Sequence, residues 1–151
     1  MKRTIFFLAF LAAISALSGY LMSKASWIGR VGMTFFYKEY NLLKVWWQGA
    51  IAVFIFVMLL FMCHTIIQRT LPKITARLLH IIAIMTAVTA LYFTYDDFTT
   101  DFSHKLLGRR FHYGFYLVWI QWIFMGLFFA FTKKRQPPLV KGSDKTAPSD
   151  Q

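Results

Sequence analysis

The chain has 151 residues, of which 58% are hydrophobic, 19% aromatic and only 15% charged. So few charges cannot clothe a water-soluble domain, where about 25% is usual. The length and a mean hydropathy of +0.51 favour one compact helical unit over two domains. The net charge of +11 is spread over both faces of the expected fold, which argues against a nucleic-acid partner.

Four apolar stretches hold no charged residue: Ile5 to Leu21, Gly49 to Ile67, Leu78 to Tyr95, and Phe115 to Phe131. Each approaches the ~20 residues with which a helix crosses ~30 Å of hydrocarbon. The expected fold is therefore an all-α membrane protein, an up-down bundle of four transmembrane helices, with its spans in residues 1–135. The first stretch follows Lys2 and Arg3, and the small residues Ala16 and Ser18 precede Gly19, as in a cleaved secretory signal. The apolar run nevertheless continues through Tyr20, Leu21 and Met22, which favours a retained helix. Ala9/Ala13, Ala12/Ala16 and Ser15/Gly19 have the small-xxx-small spacing that lets helices approach closely.

Between the first two spans, Ile28, Val31, Phe35, Leu42 and Trp46 recur at helical spacing. Arg30, Thr34, Lys38 and Asn41 fall on the other side. Glu39 falls on the apolar side and interrupts the pattern, which predicts one or two short amphipathic helices lying in the outer interface. Trp27, Tyr37, Tyr40, Trp46 and Trp47 supply rings that prefer headgroup depth. Span 2 carries Cys63, read as a small core residue, and ends near Pro72, which breaks the chain in a short turn. The single cysteine excludes an intramolecular disulfide. In span 3, Ala83, Ala87 and Ala90 with Thr86 and Thr89 form a small-residue face suited to packing. Beyond Gln136 the chain is rich in Pro, Ser, Lys and Asp, and residues 136–151 are expected to be a disordered tail.

Three groups of residues are candidates for chemistry. His64 and His80 lie near the ends of consecutive antiparallel spans, so they come to similar depth. Such a pair can ligate a b-type haem or sit beside a quinone headgroup. Bulky Met62, Ile66, Leu79 and Ile81 crowd a porphyrin, however, and no second histidine pair exists on these spans. Interfacial hydrogen bonding to headgroups or carbonyls is the plainer reading, with no cofactor required. Glu39, Asp96, Asp97, Asp101, His104 and His112 gather toward the outer side and can bind a cation. They are better read as ion pairs with Lys105, Arg109 and Arg110, so no metal site is assigned. Gln121, the one strongly polar residue of span 4, is expected to make an interhelical hydrogen bond, although no comparable residue stands out in another span as its partner. No Ser-His-Asp set, phosphate loop or cysteine cluster is present, and the reading leans away from an enzyme.

Lys38-Glu39-Tyr40, then Val45-Trp46-Trp47-Gln48-Gly49-Ala50, and Gly108-Arg109-Arg110-Phe111-His112 before span 4 resemble small four-span bacterial membrane proteins, some labelled cytochrome d quinol oxidase subunit II. The resemblance implies an accessory role, since the authentic oxidase subunit is much larger and brings no haem ligand of its own. The expected function is a non-catalytic scaffold or accessory subunit of a membrane complex. The alternatives are a haem or quinone redox protein using His64 and His80, and, with less support, a small oligomeric transporter. The expected partners are the lipid bilayer and other membrane subunits.

Charge placement predicts orientation. Ten basic residues fall on the side of the two termini, and seven on the other, which also holds Glu39, Asp96, Asp97 and Asp101. Lys2-Arg3, Arg69 to Arg77 and Lys133 to Arg135 lie close to span ends, where basic residues set topology. Both termini are therefore expected in the cytoplasm of a bacterial inner membrane, with the basic side drawn to anionic lipid. A cytoplasm-active reporter fused after Gln151 should be bright and a periplasm-active one silent; the opposite pair of results would reverse the topology.

Overall fold

The computed structural model describes residues 2–26, 43–100 and 108–132. These form four helices: α1 Lys2–Ser23, α2 Trp46–Thr70, α3 Lys73–Thr100 and α4 Arg109–Phe131. All four are long and apolar enough to cross a membrane. The interfacial helix expected over Trp27 to Trp47 lies almost wholly outside the described residues, as do the C-terminal tail and Asp101, His104 and Lys105. At its end, Trp46 and Trp47 already belong to α2.

The helices outrun the apolar stretches because backbone bonding does not stop where hydropathy falls. α3 starts at Lys73 and runs past Asp96 and Asp97 to Thr100. Leu71 is extended (φ −94°, ψ 155°), as steric clash with a following proline demands. Pro72 then accepts the Ala76 N–H at 2.9 Å and opens α3. Gly108 enters α4 with φ of 89°, a left-handed conformation that a side chain would strain.

Contacts at both ends fix the packing. Phe7, early in α1, stacks on Phe128, late in α4, at 4.1 Å. Ser18, late in α1, donates to the Gly114 carbonyl of α4 at 2.6 Å. The two helices are thus antiparallel. The end of α1 likewise meets the start of α2 at Gly19 and Gly49, and the start of α3 meets the end of α4 at His80 and Phe129. α4 packs against all three other helices, whereas α2 and α3 touch only lightly.

Each helix buries a narrow stripe and exposes the rest. α1 buries Leu11, Ser15, Ser18, Gly19 and Met22, positions that repeat at helical spacing along one face. Of the three small-residue pairs in α1, only Ser15/Gly19 lies on that face; Ala9, Ala13 and Ala16 are exposed. The α3 face also divides. Ala87 is buried, with Ala83 and Ala90 half-buried, while Thr86 and Thr89 point outward. Cys63 is exposed on α2, contrary to its reading as a core residue. It precedes buried His64 and so sits about 100° around the helix from the packed stripe. Size and polarity do not reveal which side of a uniformly apolar helix faces inward.

At Gly19, a side chain would overlap the backbone of Ala50. The hydrogen there lets α1 and α2 touch main chain to main chain. Gly19→Ala must push the helices apart, and should cost about 1–3 kcal/mol. The loss should appear as unfolding at lower SDS fraction in mixed micelles. Unchanged stability would mean that α1 does not pack on α2 in this way.

Candidate functional site

At two levels of this bundle, buried polar side chains face each other from different helices; Ser18, Ser23 and His112 are buried beyond them. Near the middle, Ser15 of α1 faces Gln121 of α4; its Oγ lies 2.8 Å from the Leu11 carbonyl and 3.0 Å from the Gln121 amide. A hydroxyl has one proton, and the Leu11 carbonyl can only accept it. The arrangement with most bonds has Ser15 donating to Leu11 and the Gln121 NH₂ donating to Ser15, an amide orientation set by bonding logic. Gln121 therefore does make an interhelical bond. Its partner is a serine that, in the sequence, reads only as a small residue.

The second level lies near the turn between α2 and α3. His64 is six residues before the end of α2, and His80 is seven after the start of α3. With a rise of about 1.5 Å per residue and a two-residue connection, the two come level. Their rings stack with centroids 5.1 Å apart and planes 12° from parallel. Phe129 of α4 packs against both, at 5.7 Å from His64 and 5.6 Å from His80. His64 is 3% exposed and His80 0%. The pair expected from sequence is thus brought together, though buried in the bundle rather than set at an interface.

Outer partners fix the tautomers. His64 Nδ1 lies 3.0 Å from the Leu60 carbonyl. That oxygen can only accept, so Nδ1 carries a proton. Gln68 Nε2 donates to the Thr132 carbonyl at 3.2 Å, which turns Gln68 Oε1 toward His80 Nε2 at 3.0 Å. His80 Nε2 must then be the donor. In the neutral rings, His64 Nε2 and His80 Nδ1 are left as bare lone pairs. Both are buried with no hydrogen-bond partner among the described residues. Gly126 of α4 sits beside this level; a side chain there would press on Ile84 Cγ1 at 2.5 Å and approach the His80 carbonyl at 3.4 Å.

Sequence reading misses Gln68 as part of the site. By position it is a polar residue marking the end of span 2, yet it links α2, α3 and the end of α4. A glutamine one turn beyond a histidine on the same helix is the available signal.

The outer group is only partly described. His112 is turned inward and stacks on Phe98 at 4.4 Å, while Asp96 and Asp97 are exposed. Glu39, Asp101, His104 and Lys105 lie outside the described residues. Among the described residues, no three His, Cys, Asp or Glu come together.

No protein-family model, curated protein or solved structure matches the chain.

Gln68→Leu removes the bridge between His80 and Thr132. It should lower stability by about 1–2 kcal/mol and free the end of α4. SDS titration would read the loss, and faster amide exchange near Thr132 its location. No change in either would mean that the bridge does not hold the helix ends.

Proposed function

We propose that this chain is an integral membrane protein of a bacterial inner membrane, its four helices crossing up and down with both termini in the cytoplasm. It acts as a non-catalytic accessory subunit or scaffold within a larger membrane complex. The bundle's exterior supports the membrane assignment. Ile5, Phe6, Ile55, Ile74, Tyr92 and Phe93 are among many large apolar residues exposed on the helices, far more than a water-facing surface carries. Packing of α1 through Ser15, Ser18 and Gly19 supports its retention as a helix rather than its loss as a signal.

The observation that carries the accessory role is the outward face of α3. There Ile82, Met85, Thr86, Thr89 and Phe93 line a shallow open groove along the helix surface. Thr86 turns its hydroxyl back to the Ile82 carbonyl at 3.0 Å, which leaves small methyl-bearing surface outward. Small residues flanked by large ones suit the approach of another helix. The spans offer little for transport, since Gln121 is engaged by Ser15 and its neighbours one turn away are apolar.

A b-type haem held jointly by His64 and His80 has less support. Shared axial ligation needs an iron and its porphyrin between the two rings, which here stack on each other and on Phe129. The purified protein is expected to be colourless; a b-type reduced spectrum that vanishes in His64→Ala would make redox chemistry the leading function.

Thr86→Trp fills the α3 groove from the outside. Purified in mild detergent, the parent chain should run as a complex with a second membrane polypeptide, and the variant should run alone with unchanged helicity. A parent chain that runs alone would overturn the accessory role.

A further inference from the structure

Four buried polar atoms have no partner among the described residues: His64 Nε2, His80 Nδ1, Gln121 Nε2 and Trp122 Nε1. Turning the Gln121 amide toward Ser15 satisfies its nitrogen and leaves its oxygen as a single acceptor, and Trp122 Nε1 is a single donor. The histidine nitrogens differ from both. They lie on two rings only 5.1 Å apart, and each is a lone pair by virtue of what its ring does on the other side. An unpaired acceptor in an apolar interior is costly, and two on touching side chains call for a proton donor.

We infer that His64 and His80 form a binding site for the hydroxyl group of a neutral, lipid-soluble phenol of the hydroquinone class. The inference concerns binding alone and stands apart from the accessory role. Three observations select the ligand. First, the site offers only acceptors, so the ligand must donate. A hydroquinone has hydroxyls to give, whereas the oxidised quinone has only carbonyl oxygens and finds no donor here. Second, the surroundings are aromatic and apolar, with Phe129 against both rings and Phe61 against Phe129 at 5.2 Å. A flat neutral ring is at home there. A metal ion would bring charge with only two nitrogens to hold it and no third ligand nearby among the described residues. Third, the histidines face each other across the α2–α3 contact, which is lighter than those that α4 makes with its three neighbours or α1 with α2. A ligand dissolved in the bilayer can enter there without crossing water.

Gln68 is a positioning residue. By accepting from His80 Nε2 it keeps the proton off Nδ1, and the Leu60 carbonyl does the same for His64 Nε2. The site's preference for the reduced, donating form follows from these two fixed tautomers.

The test uses the full-length protein in detergent with ¹⁵N-labelled histidine, kept free of oxygen. The probes are an alkyl-substituted 1,4-benzohydroquinone, its oxidised quinone and its dimethyl ether. In the free protein, NMR should show one bare nitrogen on each of His64 and His80. Hydroquinone should shift at least one of these signals toward the hydrogen-bonded range and bind about tenfold or more tightly than the ether or the quinone. His64→Phe, which keeps an aromatic ring in the stack, should lose that preference; Val88→Ala, exposed two turns further along α3, should keep it. Equal binding of hydroquinone and ether by the parent protein would overturn the inference. So would nitrogens that are already hydrogen-bonded to water and do not respond to hydroquinone. Both of these readouts need only the parent chain, so the test stands even where His64→Phe fails to fold.

Discussion

Hydrocarbon cannot accept or donate a hydrogen bond, so a polar group in a membrane helix must find its partner within the protein. The placement of polar side chains in this bundle follows from that constraint. Thr65, Thr86 and Thr94 donate back to the carbonyl four residues earlier, at 2.8–3.0 Å. Their hydroxyl protons stay within their own helices. Ser15, Ser18, Gln68, His80 and Gln121 instead reach across to another helix or chain segment, and these bonds define which faces turn inward. Trp119 extends the pattern by donating to Thr94 at 3.0 Å, joining α4 to α3. With apolar residues on every side, hydrophobic burial alone cannot orient such helices, because lipid is as apolar as leucine. Hydrogen bonds and small-residue contacts do so.

α4 is the hub of this scheme. It meets α1 through Ser18 and Gln121, α3 through Trp119 and Gly126, and the histidine stack through Phe129. α2 and α3 are held mainly through their neighbours, and they come together at the level of His64 and His80. Among the described residues, the two facing lone pairs of His64 and His80 therefore sit at a light contact between helices. This coincidence makes the level a candidate for ligand entry, while the outward face of α3 stays free for association. The two features are on different surfaces, so accessory and binding roles are compatible.

The four helices are legible in the sequence because uninterrupted apolar runs of this length leave few other structures. The pairing of His64 with His80 is also legible, since a short proline turn places residues equally far from it at one depth. What the sequence hides is rotation. Cys63 and His64 are neighbours, yet one faces out and the other in, and nothing in a helix that is apolar all round distinguishes those directions beforehand. Thr86 and Ala87 divide the same way. Ser15 is hidden as the partner of Gln121 for a related reason: the two are 106 residues apart, and a serine among alanines reads as a small residue rather than a donor. Gln68 looks like the polar end of a span because its partners, His80 and the Thr132 carbonyl, lie on other segments.

The proposed membrane location rests on a polar inner stripe enclosed by apolar outer faces. Spin labels placed singly along α2 in a Cys63→Ser background test it most directly. Labels at Ile55, Leu59, Met62 and Ile66 should be strongly relaxed by oxygen, which partitions into lipid, and weakly by a water-soluble nickel chelate. Labels at Val53 and Val57 should be shielded from both reagents. Dominant relaxation of the first set by the nickel chelate would place that face in water and contradict the arrangement.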